Sequence, residues 1–191
     1  KRFGAPWVGL NSVIVSENYR QLPGVVEMAA DLGLDGAIFF FCQPVAEMGK
    51  RDVILSPEQA RELLKEVLPS CRRIAAERGV SLGVRPALDT ATPGDDNRAR
   101  RVSDATYCRI FHTDDPCRVA SELVSVDPVG DVRLCNQPLM QFGSDAVIGN
   151  INETPLSRIL SSDAAMAFRV GAGRFRDCRH CTFDHEARTD E

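Results

Sequence analysis

The stretch VGLNSVIVSENYRQLPGVVEMAADLGLDGAIFFFC, residues 8–42, decides the fold class. It holds two apolar runs with a helical period between them. Residues 8–16 are β-branched and apolar, which fits a buried strand. Val25, Val26, Met28, Ala29 and Leu32 then recur at helical spacing, and Gly33 supplies a C-terminal stop. Residues 36–42 form a continuous apolar run of strand length, as expected of a parallel strand covered on both faces.

The alternation continues downstream. SPEQARELLKEVLPSCRRIAAERG (56–79) has Ser56 as N-cap, Pro57 at the first helical position, and Glu58 and Glu62 in the first turns. It stops at Gly79, and Pro69 predicts a kink or a split. Residues 80–84, VSLGV, read as a third strand. A β-α-β-α-β order predicts an α/β fold with a parallel sheet or barrel. Three strands are too few to close a barrel, so they read as part of a larger one.

Residues 88–106, LDTATPGDDNRARRVSDAT, are polar and Gly/Pro-punctuated and read as a linker or long loop. Asp95, Asp96, Asp114 and Asp115 read as solvated loop charge rather than acid/base pairs. The second half is short strands and then short helices, so the whole chain is α+β. ELVSVDPVGDVRLC predicts a hairpin: strand 122–126, a turn at Asp127-Pro128-Val129-Gly130, strand 131–135. Thr154 and Pro155 open a helix carrying Leu156, Ile159 and Leu160. Ser162 or Asp163 opens another carrying Met166, Phe168 and Val170.

The chain has 191 residues, 43% hydrophobic and 26% charged, with a net charge of −4. That suits one domain or one and a half. The acidic balance argues against a nucleic-acid surface. No apolar run approaches the ~20 residues that cross a bilayer. The opening KRFGAPWVGL is too short and interrupted for a signal peptide and has no initiator Met, so a trimmed chain or a fragment is expected. No Gly-x-x-x-x-Gly-Lys phosphate loop is present.

Seven cysteines without a secretion signal point to a reducing cytoplasm, where clustered thiols bind metal more often than they form disulfides. Cys42 and Cys71 lie in apolar or helical surroundings and read as buried or incidental thiols. The candidate ligands are Cys117, Cys135, Cys178 and Cys181. A Cys-x-x-Cys pair puts two sulfurs on one side of a tight turn. A cysteine leaving a hairpin strand and one before that hairpin can add two more. Four thiolates suit either a tetrahedral zinc or an iron–sulfur cluster, and residue type alone does not choose. His180 and His185 sit beside the pair and read as surface or hydrogen-bonding residues.

Cys117, twelve residues, Gly130, four residues, Cys135, a gap and Cys178-x-x-Cys181 resemble the SPASM/twitch extension of radical SAM enzymes. VDPVGDVRLC resembles that family's hairpin into its second cysteine, IGNINETPLSRIL its Gly-Asn-Ile segment and amphipathic helix, and AFRVGAGRFRDCRHC its closing helix. NSVIVSENYRQLPGVVEMAADLGLDGAIFFFCQP resembles the later strands and helices of the radical SAM partial TIM-type barrel.

The resemblance implies three segments. They are the C-terminal part of a partial (β/α) barrel (1–88), a linker (89–107) and a SPASM/twitch iron–sulfur domain (108–191). It implies one auxiliary [4Fe-4S] cluster on the four cysteines. The full SPASM set places further cysteines where Ala187 and Glu191 stand. Cys108 is a further candidate ligand. The Cys-x-x-x-Cys-x-x-Cys motif that cleaves S-adenosylmethionine is absent from these residues, which implies a C-terminal portion of a longer enzyme, not catalytic alone. Asn18 and Gln43, at the ends of the two apolar strands, are candidates for the S-adenosylmethionine side. The parent enzyme would act on a peptide or protein substrate and take electrons from a donor, with no nucleic-acid or membrane partner. The alternative is a non-catalytic structural zinc module.

Overall fold

A computed structural model of the chain describes residues 6–43, 53–86, 95–107, 117–135 and 146–181. Cys108, Asp114, Asp115 and His185 lie outside the described residues. The chain divides into two compact units, the first holding the described residues up to Tyr107 and the second those from Cys117 onward.

In the first unit, β1 (Gly9–Ile14), β2 (Gly36–Phe41) and β3 (Ser81–Arg85) form a parallel sheet in sequence order. Gly9 pairs with Gly36 and Ile14 with Phe41 across β1 and β2. Gly36 also pairs with Ser81 of β3. A side chain at Gly36 would stand 2.1 Å from the Ser81 carbonyl oxygen, so only glycine allows this close approach. The fold is α/β, as the alternating runs predict. Phe39, Phe41 and Ile14 are fully buried together with Leu22 and Val26 of α1 (Leu22–Asp31) and Leu63. Each such side chain contributes roughly 1.5–3 kcal/mol of burial free energy.

The helical face of α1 differs from its sequence reading. Leu22, Val26 and Ala29 are buried, whereas Met28 and Leu32 face solvent. The apolar period picks up both faces because β-sheet packing needs only one narrow stripe of this short helix. Gly33 does take the left-handed conformation, with φ +66°.

Ser56 caps α2 (Pro57–Glu62) in a reciprocal capping box with Gln59. The helix does not stop at Pro69, but it is divided just before it. It widens into a π-helical segment over Leu63–Val67 and continues as α3 (Leu68–Arg78). Pro69 has no N–H to return to the preceding turn, and a π segment absorbs the lost bond without ending the helix.

The linker expected at 89–107 is corrected over its second part. Residues Asp95–Ser103 form α4, with Ala99 and Val102 buried in the core of the first unit. Arg101 then closes the chain by donating to the carbonyls of Thr106 and Tyr107. The Tyr107 ring stacks on Phe41 at 5.2 Å, and its hydroxyl donates to the Cys42 carbonyl at 3.0 Å. Two apolar residues three apart are enough to dock α4, but they are outnumbered by charge in the sequence. Asp96 is a surface charge paired with Arg61.

In the second unit, β4 (Ser125–Val126) and β5 (Asp131–Arg133) form the expected antiparallel hairpin, shorter than predicted. Glu122 ends a short helix, α5 (Val119–Glu122), and is not in the strand. A third strand that the sequence reading missed, β6 (Gly149–Asn150), pairs with β5. Helices α6 (Leu156–Leu160) and α7 (Asp163–Gly171) follow, α7 capped by the Ser162 hydroxyl. Val132, Leu134, Ile148, Ile159, Ala165 and Phe168 make the core. Of the apolar residues predicted on α7, Phe168 is buried while Met166 and Val170 face outward.

Candidate metal centre

The hairpin turn is fixed by side chains on both sides of it. Asp127 accepts backbone N–H bonds from Val129 and Asp131, both at 3.0 Å, so it folds the chain back on itself. Gly130 has φ +91°, as a turn there demands. A Cβ at Gly130 would lie 2.4 Å from Asn152 Nδ2 and 2.7 Å from Asn150 Oδ1. Those two amides brace the turn: both donate to the Val129 carbonyl, and Asn150 also donates to Asp131.

Arg133 completes this network. Its Nη1 donates to Asp127 at 2.7 Å, and Nη2 stands 3.8 Å from Asp131. The guanidinium beside Asp127, with the two backbone bonds, holds that carboxyl below the usual carboxylate range. The Arg133 side chain is only 12% exposed. Its Nε–H is buried with no hydrogen-bond partner among the described residues. Leaving a buried donor unpaired costs about 1–3 kcal/mol. Sequence reasoning missed Arg133; the signal was the alternation of residues 131–135.

Cys135 follows two residues after the end of β5. Val132 and Leu134 are buried in the core, while Asp131, Arg133 and Cys135 are half-buried. Within β5 the pleat sets Arg133 opposite Val132, and Cys135, beyond the strand, packs against the core of the second unit.

Cys178 and Cys181 lie on one tight turn. The segment Arg176–His180 is a 3₁₀ helix, the Cys178 N–H donates to the Phe175 carbonyl, and the Cys181 N–H donates to the Cys178 carbonyl at 3.0 Å. Phe175 anchors the turn through its ring, 5.1 Å from that of Phe168 in α7. His180 accepts a hydrogen bond from Arg179 Nε at 2.8 Å, which fits its expected hydrogen-bonding role.

The structure brings Cys117 against the buried Cys181. Cys117 and Cys135 both pack against the core of the second unit. The described cysteines are thiols. Among the described residues no three His, Cys, Asp or Glu side chains form a single-ion group. Zinc gathers its thiolates about 2.3 Å from one ion. A [4Fe-4S] cluster takes one thiolate at each of its irons, so its ligands stand farther apart. A donor set of soft thiolates on one small unit, with two in contact and two on one turn, fits an iron–sulfur group as it fits a zinc ion.

In the first unit, Asn18 follows β1 and Gln43 follows β2, at the C-terminal side of neighbouring parallel strands. The Asn18 amide oxygen accepts from the Val15 N–H, and its nitrogen donates to the Val13 carbonyl. Its amide therefore holds the turn after β1. Cys71 is fully buried, and burial pushes its thiol up to about 11. Residues 79–83 do read Gly-x-Ser-x-Gly, so the spacing of a nucleophile elbow is present. Ser81 begins a strand after a helix, its hydroxyl donating to the Asp35 carbonyl and accepting from Trp7 Nε1. A nucleophile elbow needs the reverse order, strand then helix. Among the described residues no helix is long and apolar enough to cross a membrane.

No curated protein matches the chain. Among solved structures, a crystal structure of selenomethionine BtrN in an open conformation is 16% identical, with a TM-score of 0.31, over 93% of this chain and 94% of that chain. At that TM-score the likeness carries no argument. The family model described as SPASM, an iron–sulfur cluster-binding domain, matches residues 117–182. That span begins at Cys117, takes in Cys135, Cys178 and Cys181, and falls within the second unit.

Proposed function

We propose that Cys117, Cys135, Cys178 and Cys181 hold one auxiliary [4Fe-4S] cluster, and that the chain is the C-terminal part of a radical SAM/SPASM-type enzyme. The observation that carries this reading is the match of the SPASM model to the segment bounded by these four thiols. The contact of Cys117 with Cys181 and the shared turn of Cys178 and Cys181 support it. The bound cluster would supply one-electron chemistry to the parent enzyme.

The chain's own residues would hold and shield that group. Asp127, Gly130 and the Asn150–Asn152 pair set the turn that aims Cys135. Phe168 and Phe175 seat the turn that carries Cys178 and Cys181. The parallel sheet of the first unit supports reading it as the end of a partial barrel. Asn18 and Gln43 at its strand ends are the candidates for the S-adenosylmethionine side, with Asn18 acting by shaping its turn. The substrate class is a peptide or protein, the electron donor a separate partner, and the compartment the reducing cytoplasm.

Single Cys→Ala variants test the ligand set. Each of the four should lose most of its iron and its visible absorption after anaerobic reconstitution, while Cys71→Ala keeps both. Full iron content in Cys135→Ala would refute the assignment. One zinc per chain and no iron would make the unit a structural zinc module.

A further inference from the structure

In the second unit the strand order is β4-β5-β6, so β4 is an edge with no further strand beside it among the described residues. The register shows which of its backbone groups are in use. Ser125 stands across from Arg133, and Val126 across from Val132. The Asp127 N–H donates to the Asp131 carbonyl at 3.1 Å, which makes those two a hydrogen-bonded pair. Such pairs alternate with non-hydrogen-bonded ones along an antiparallel ladder, so Val126 and Val132 are of the second kind. Val132 agrees, since its carbonyl accepts from the Ile148 N–H on the β6 side. The N–H and C=O of Val126 therefore point away from β5, to the open edge. The chain is already extended at Leu123 (φ −119°, ψ 135°), and Val124 makes no backbone hydrogen bond among the described residues.

The side chains follow the same plan. Val126 shares a face of the sheet with its partner Val132, which is buried in the core. Yet Val124 and Val126 are each 43% exposed. The apolar face thus runs out to the open edge. Residues 123–127, Leu-Val-Ser-Val-Asp, hold no lysine and no proline, the usual guards of such an edge. The one charge among them, Asp127, is tied to Arg133 and to the turn.

We infer that β4 is a docking strand for an extended peptide segment, which in the enzyme proposed above belongs to its peptide substrate. The inference rests on that substrate reading. An added strand accepts from the Val126 N–H and donates to its carbonyl, and its alternate apolar side chains cover Val124 and Val126. A second copy of the chain is the poorer occupant. So short an edge falls far below the roughly 1,200–2,000 Å² that a stable protein pair buries.

The probe is a synthetic peptide of alternating valine and threonine with lysine at both ends, added to the reconstituted full chain. The readout is amide hydrogen exchange at Val126, resolved by mass spectrometry. Saturating peptide should slow that exchange at least about tenfold. The same peptide with its valine and threonine amides N-methylated keeps the side chains, loses the donors and should give no protection. Equal protection by the methylated peptide would reduce the contact to apolar burial and overturn the proposal. So would protection confined to other strands, or none at millimolar peptide. Protection that grows with protein concentration in the absence of peptide would assign the edge to a second copy. Iron is assayed on the same sample. A chain that loads iron and ignores the peptide loses this proposal alone, and a chain that binds the peptide without iron loses the cluster reading alone.

Discussion

Cys117 packs against Cys181, so the first and last described residues of the second unit meet. One thiol stands before α5 and the other closes the 3₁₀ turn after α7. The described elements between them (α5, hairpin, third strand and two helices) fold so that a thiol before the hairpin and a thiol after the last helix share one place. Structural metal and cluster sites behave this way, because binding free energy is then folding free energy. Reconstituted protein should therefore unfold at higher temperature than iron-free protein. Calorimetry of the two forms checks this; equal unfolding temperatures would place the thiols outside the folding of the unit.

Gly130→Ala should destabilise the second unit by about 1–3 kcal/mol. The φ of +91° is strained for any L side chain, and the new Cβ would collide with Asn152 Nδ2 and Asn150 Oδ1. Thermal unfolding of the iron-free protein reads the loss. A transition at the wild-type temperature would mean that the turn is not held as described.

Val102→Ala should cost about 1–3 kcal/mol, because Val102 is fully buried on α4. The control is Val170→Ala on α7, where the side chain is 73% exposed and the change should fall within about 0.5 kcal/mol. Urea unfolding of both variants tests whether α4 belongs to the core of the first unit. Equal, negligible effects would return residues 95–103 to the status of a linker.

Glu62 ties α2 to the 3₁₀ turn Tyr19–Gln21, accepting from Arg20 at 2.7 and 2.8 Å and from the Tyr19 hydroxyl at 2.7 Å. The Arg20 and Tyr19 hydrogen bonds lower its carboxyl from 4.5 to about 2. A depressed folded-state value stabilises the protein above the unfolded value and loses that contribution as the pH falls through the folded one. Glu62→Gln should thus lower the urea midpoint most above pH 4.5, and the gap should close as the pH falls to about 2. A gap that held constant with pH would assign the effect to packing, not charge.

The first unit was legible because its strands are long, apolar and bounded by turn residues. GAIFFF reads as a central parallel strand, and Ser56-Pro57 reads as a helix start. The α4 helix was not legible, since Ala99 and Val102 are its only buried apolar residues amid Arg100, Arg101 and Asp104. Pairing of β6 with β5 was not legible either, because a two-residue strand carries no periodicity. At the candidate metal centre the cysteine spacing was visible. The pairing of Arg133 with Asp127 and Asp131 across the turn was not. That is a fact of three dimensions.

The measurement that tests the central claim most directly is iron, acid-labile sulfide and zinc per chain after anaerobic purification and reconstitution, with an absorption spectrum. The account predicts about four irons and four sulfides per chain with broad absorption near ~400 nm. One zinc per chain, no sulfide and a colourless protein would contradict it.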